Sequence, residues 1–262
     1  MSQVNSSPGF SLARVLASAL LALLLAGCVH TSTMKNTGNQ KDAAAYNVQL
    51  GIAYMNQGDL SRAKDKLDRA LSQDADNADV HSARAMLFTR MGNANKADEE
   101  YRTALRLAPN DPNVINNYAV YLCQTGRIDE GVKRFLEAAH NALYKTPEAA
   151  YTNAGVCLRS AKRDEDARSY FVRALQVSPA FAEAQFQLAD LQFQHGELTQ
   201  ARAGIDGFIG NFTATPDLLL LGVRVARAQG DRLAAQRYAR KLQLDFPNTP
   251  QTRALAGLDH PG

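Results

Sequence analysis

The sequence predicts an all-α fold, built as a solenoid of short helix pairs. Six segments align: "GDLSRAKDKLDRAL" from Gly58, "GNANKADEEYRTAL" from Gly92, "GRIDEGVKRFLEAA" from Gly126, "KRDEDARSYFVRAL" from Lys162, "GELTQARAGIDGFI" from Gly196 and "GDRLAAQRYARKL" from Gly230. They begin 34, 34, 36, 34 and 34 residues apart, and a fixed period of this size marks a repeat architecture. Composition agrees, because Ala, Leu, Arg and Gln recur throughout and few β-branched runs compete with them.

From the amino end, residues 1–27 read as a secretion signal. Arg14 supplies a basic start, and Val15–Leu25 form an apolar run shorter than the ~20 residues a membrane-spanning helix needs. The run ends in Leu25-Ala26-Gly27-Cys28, which looks like a bacterial lipobox. At such a motif the signal is cut, and the thiol of the new N-terminal cysteine takes a diacylglycerol. Cys28 is therefore the expected lipidation site, and two or three acyl chains suffice for stable anchoring. An ordinary signal peptide, or an uncleaved anchor with a chance cysteine, is the alternative. Val29 follows the cysteine in place of the Asp that marks inner-membrane retention, which favours the periplasmic face of the outer membrane. Residues 28–42, the lipidated cysteine and a polar stretch without periodicity, read as a flexible tether.

The array itself is expected over residues 43–249. Small residues recur where the two helices of a unit cross: Gly51, Ala85, Ala119, Gly155 and Ala189 on the first helix, and Ala63, Ala97, Ala167 and Ala201 on the second, with Gly131 a variant. Larger side chains fill the adjacent hole, Tyr54, Phe88, Leu122 and Leu158 from the first helix and Leu67, Tyr101, Phe135 and Phe171 from the second. The turn glycines permit the left-handed backbone that ends the first helix. Pro109, Pro179 and Pro247 close the second. Period and pattern together resemble tetratricopeptide repeats, which implies a right-handed superhelical solenoid of about six repeats with a concave groove. Repeats one to five are clear, whereas Gly222 and Val223 are expected to disturb the first helix of the sixth. Residues 250–262 read as a C-terminal cap or tail.

Several function classes find no footing. The net charge of +3 is spread over both signs and leaves no nucleic-acid footprint. The three cysteines and five histidines show no ligand spacing, so no metal is expected, and no cofactor beyond the covalent lipid on Cys28. The carboxylate pairs Asp98–Glu99 and Asp164–Glu165 are adjacent on a helix and point apart. With no nucleophile–base pair and no Gly-rich phosphate loop, neither an enzyme nor a small-molecule substrate is expected.

In a tetratricopeptide array the groove is lined by the first helix of each repeat, at its second, fifth, ninth and twelfth positions. The candidates for partner contact read off in this way are Met86, Asn113, Asn116, Val120, Thr152, Arg159, Phe186, Asp190, Phe193 and Arg224. Val48 and Ile52 stand where a clamp for chaperone tails places Lys and Asn, which disfavours that ligand class. The mixture of apolar, amide and aromatic groups suits an extended or helical protein segment. For each residue, packing against the neighbouring repeat is the plain alternative.

The middle of the chain is more specific. Asn116-Asn117-Tyr118, Leu122-Cys123, "LYKTPEAAYTNAG", the matching Cys157 and the lengthened spacing between repeats three and four resemble the PilF/PilW family of type IV pilus biogenesis lipoproteins. The resemblance implies an outer-membrane pilotin that supports localisation and multimerisation of the pilus secretin, with secretin or other pilus-assembly proteins as partners. A general envelope-assembly lipoprotein, acting on another outer-membrane or cell-wall complex, is the alternative. Cys123 and Cys157 fall late in the first helices of successive repeats, where Cα atoms can approach to the ~4.4–6.8 Å of a disulfide. The oxidising periplasm favours a bridge, the alternative being two buried cysteines that act as small apolar residues.

Overall fold

The computed structural model describes residues 37–258. The predicted signal segment, Cys28, the first part of the predicted tether and the last four residues lie outside the described residues. Those described form thirteen α-helices and no strand. Repeat one pairs α1 (Thr37–Asn56) with α2 (Leu60–Gln73), repeat two α3 (Ala78–Arg90) with α4 (Ala94–Leu107), and repeat three α5 (Pro112–Gln124) with α6 (Ile128–Ala139). Repeat four pairs α7 (Pro147–Ser160) with α8 (Asp164–Val177), repeat five α9 (Ala182–Gln194) with α10 (Leu198–Asn211), and repeat six α11 (Pro216–Ala228) with α12 (Arg232–Asp245). A last helix, α13 (Pro250–Leu258), caps the array.

The turn inside each repeat is made the same way six times. Gly58, Gly92, Gly126, Gly196 and Gly230 adopt φ between +73° and +81°, and Lys162 takes the place of glycine at φ +62°. The next N–H reaches back to a carbonyl of the helix just ended, for example Asp59 to Tyr54 at 2.9 Å and Arg163 to Leu158 at 3.0 Å, the bond of a Schellman close. The same residue then starts the second helix. Asp59, Asn93 and Asp231 accept a hydrogen bond from the N–H three residues on, each satisfying one orphan donor.

Packing between the paired helices explains the small residues. A Cβ on Gly51 would stand 2.7 Å from Leu67, and one on Gly155 2.4 Å from Phe171. The sixth repeat obeys the same rule and corrects the expectation from sequence. α11 runs unbroken through Gly222 and Val223: Tyr238 packs over Gly222 at 3.0 Å from where a Cβ would be, and Val223 is fully buried. One boundary differs from the sequence reading: α1 begins at Thr37, within the segment read as tether. The segment read as a C-terminal cap or tail forms a helix whose Leu255 enters the core.

The core is a string of short patches. Met55, Leu67 and Leu87 form one, Phe88, Tyr101 and Leu122 the next, then Phe135 with Cys157, then Leu158, Phe171 and Leu191, and lastly Ile205, Leu218 and Leu242. Each patch is closed by a neighbouring repeat, as the solenoid principle requires. Successive first helices also pack closely on one another along the array, whereas the backbones of successive second helices stand further apart and meet only through long side chains, as where the Tyr238 hydroxyl of α12 donates to Asp206 of α10 at 2.5 Å. The first helices therefore form the inner, concave row and the second helices the outer one.

Candidate binding groove

The inner row presents a different surface at each end. In repeats one and two, α1 and α3 open a recess of about 290 Å³ lined by Val48, Ile52, Ser82 and Met86, with Asn117 of α5 at its edge. Ser82 is buried and accepts a hydrogen bond from the Asn117 amide at 3.2 Å, which joins repeats two and three. The floor is apolar and its edge carries amide groups, a combination that suits an apolar side chain on a peptide.

In the middle, Asn113 is exposed, while Asn116 and Val120 are half-buried. Asn116 accepts from the Asn153 amide at 3.3 Å across the repeat boundary. Thr152 does not reach the groove surface. It is 2% exposed and donates its hydroxyl to the Glu148 carbonyl at 2.8 Å, so it serves the wall and not a ligand. Val156, one turn further along α7, is 41% exposed and takes that place. The sulfurs of Cys123 and Cys157 lie at bonding distance, with Cα atoms 5.6 Å apart, and join α5 to α7.

Repeats four to six are polar and aromatic. The Arg159 guanidinium donates to Gln187 at 2.6 Å and to Asp190 at 2.9 Å, and Asp190 also accepts from Gln194. Arg159 and Asp190 thus satisfy one another across the boundary between repeats four and five. Phe186 and Phe193 are half-buried, and Arg224 sets its guanidinium 4.9 Å from the centre of the Phe193 ring. Such a contact is worth about 0.5–1 kcal/mol at an exposed site. Gln187 and Asn153 escaped the sequence reading because each is one residue off the groove period and enters only through a partner in another repeat.

A second polar cluster ties repeat one to repeat two. His81 of α3 donates from Nδ1 to Glu100 of α4 at 2.6 Å and from Nε2 to the Ala75 carbonyl at 2.9 Å. Arg84 bridges Glu100, at 2.8 Å, and Asp68 of α2. The Glu100 hydrogen bond is the main reason that the His81 pKa is raised, outweighing burial. Burial opposes the charge on Glu100, but His81 and Arg84 together hold it below the ordinary carboxylate range. Among the described residues no group of His, Cys, Asp and Glu could hold a metal ion, and no helix is long and apolar enough to cross a membrane.

Fold and groove define a tetratricopeptide-repeat protein, and the repeat signature matches residues 48–112 and 119–176, with a second form of it over 158–207. The type IV pilus assembly protein PilF of Pseudomonas aeruginosa is 32% identical over 233 residues, which cover 88% of this chain and 92% of that protein. The solved structure of P. aeruginosa PilF superposes with a TM-score of 0.61 at 30% identity, covering 84% of this chain and 99% of the other. That of PilW, described as a widely conserved type IV pilus biogenesis factor, superposes at 0.62 with 28% identity, covering 81% and 98%. The chain belongs to the PilF/PilW family of tetratricopeptide-repeat proteins of type IV pilus biogenesis.

Proposed function

We propose that the chain is a non-enzymatic outer-membrane lipoprotein, held by a lipid on Cys28, whose groove takes a segment of the pilus secretin and supports its localisation and multimerisation. The observation that carries this reading is the groove itself. The row of first helices that lines it runs through all six repeats, from the apolar recess of Val48, Ile52 and Met86 to Phe193 and Arg224. An extended chain passing along it meets an apolar site first and a mixed aromatic and cationic site last, so that it is read in one direction. Membership of a pilus biogenesis family supports the choice of machinery, and the lipobox at Leu25–Cys28 supports the address. A periplasmic address also accounts for a lasting Cys123–Cys157 bridge, since that compartment keeps disulfides oxidised.

The test is genetic and biochemical. Replacing Cys28 with Ser is expected to lower secretin multimers in outer-membrane fractions and to impair twitching motility. Ile52→Glu with Met86→Glu is expected to weaken capture of the secretin by tenfold or more, about the loss of one hot spot. Normal secretin multimers in a strain deleted for the whole gene would refute the pilotin assignment.

A further inference from the structure

The outer helices carry a feature that the groove does not use. On most of them cations are taken by carboxylates of the same helix or of a helix cap: Arg62 by Asp59, Lys64 by Asp68, Arg102 by Asp98, Arg168 by Glu197 and Arg202 by Asp206. α12 differs. It holds Arg232, Arg237, Arg240 and Lys241 against one carboxylate, Asp245, which pairs with Lys241 at 2.8 Å. Asp231, the cap of this helix, gives its carboxylate to the Ala234 N–H at 2.9 Å and to Arg202 at 3.4 Å. Among the described residues, Arg232, Arg237 and Arg240 make no direct hydrogen bond or salt bridge, although the Asp231 carboxylate attracts Arg237 from beyond contact distance.

The apolar side chains of this helix are equally unusual. Leu233 is 76% exposed and Leu244 73%, among the most exposed large apolar residues described. Leu233, Arg237, Arg240 and Leu244 follow at helical spacing, so all four share one face. The leucines stand at its two ends, ~16 Å apart along the axis, with the arginines between them.

We propose that this outer face of α12 docks on a membrane surface rich in anionic lipid headgroups. Two isolated leucines separated by cations do not make the contiguous apolar centre of a protein interface. They do match a helix lying in the plane of a lipid–water interface. There leucines enter the acyl boundary, and guanidinium groups take up lipid phosphates in paired hydrogen bonds. Each cation near such a surface contributes about 1 kcal/mol. Because α12 stands in the outer row, docking through it leaves the concave groove open to a partner. The contact does not depend on the lipid at Cys28 and adds a second hold at the opposite end of the array.

Among the described residues the core lies between Ala44 and Leu255, so a chain beginning at Val29 keeps the folded array and removes the apolar N-terminal run from the measurement. It is sedimented with vesicles of phosphatidylethanolamine containing phosphatidylglycerol, and with vesicles of zwitterionic lipid alone. Binding is expected to the anionic vesicles, falling by about 30-fold or more with Arg237→Glu/Arg240→Glu, the loss of two such cations. Leu233→Ser/Leu244→Ser, which leaves the charge unchanged, is expected to weaken it as well. Lys133→Glu/Arg106→Glu, the same charge change on α6 and α4, is expected to have little effect. An equal loss with this control pair overturns the assignment to α12. So does the absence of binding to anionic vesicles, including the case in which an acidic peptide binds the same face instead.

Discussion

Gly131 shows how one residue's identity is set by a neighbour far from it in the fold's logic. At this position of the repeat the chain elsewhere carries alanine, at Ala63, Ala97, Ala167, Ala201 and Ala235. A Cβ on Gly131 would stand 2.4 Å from the Cys123 sulfur and 3.1 Å from the Ala119 carbonyl oxygen. Overpacking of this kind costs about 1–3 kcal/mol, and Gly131→Ala is expected to lose that much in urea unfolding. In a Cys123→Ala/Cys157→Ala background the same substitution is expected to be much milder. An equal cost in both backgrounds would place the conflict at the backbone and not at the sulfur. In the sequence Gly131 reads only as a variant of the alanine pattern, because the sulfur above it arrives through the packing of α5 on α6. Lys162 is a comparable case. It holds a left-handed turn at φ +62° that five glycines occupy elsewhere; the period places it in the glycine register, and the structure shows that the turn is kept there at the cost of local strain.

At the scale of elements, the joint between repeats one and two rests on His81, Arg84, Asp68 and Glu100, which connect α2, α3 and α4. Both ring nitrogens of His81 face acceptors, Glu100 and the Ala75 carbonyl, so this setting favours the imidazolium, which donates from both. Its pKa is raised above the ordinary 6.5. The stability it contributes is therefore complete below that value and is lost as pH rises through the raised one. Glu100 runs the other way, contributing above its ordinary 4.5 and losing that contribution as pH falls through its lowered value. Chemical denaturation over a series of pH values is expected to show wild type losing more stability than His81→Gln on the alkaline side of neutrality. Parallel curves would remove His81 from the joint. The helix pairs and their turns were readable from local signals, but this joint was not, since Asp68, His81, Arg84 and Glu100 belong to three helices and follow no common spacing.

For the molecule as a whole, the seam between repeats three and four stands out. The connection from α6 to α7 is longer than those between the neighbouring repeats, and its Leu143 is 75% exposed. The Cys123–Cys157 bridge spans this same seam, closing a loop over a sequence separation of 34. Closing a loop of that size stabilises by about 3–4 kcal/mol in the chain-entropy model. Cys123→Ser/Cys157→Ser is expected to lower the urea midpoint of the oxidised protein accordingly. A variant as stable as wild type, both without reductant, would show that the bridge does not hold the seam. In a linear array stability is a sum over repeats and their interfaces, so a weakened seam lets the two halves unfold separately.

Sequence alone determined the period, the pairing of helices, the left-handed turns and the small residues at the crossings, because each is a local demand repeated six times along the chain. It also pointed to the inner row as the binding face. Tertiary structure decided which of the periodic positions stay open. Thr152 is closed by the Glu148 carbonyl, and Arg159 and Asp190 spend their charges on each other. It likewise left Arg237, Arg240 and two leucines of α12 uncovered on the outside. The reason is physical: periodicity tells a side chain which way to point, but exposure and pairing depend on what a residue some thirty positions away brings beside it.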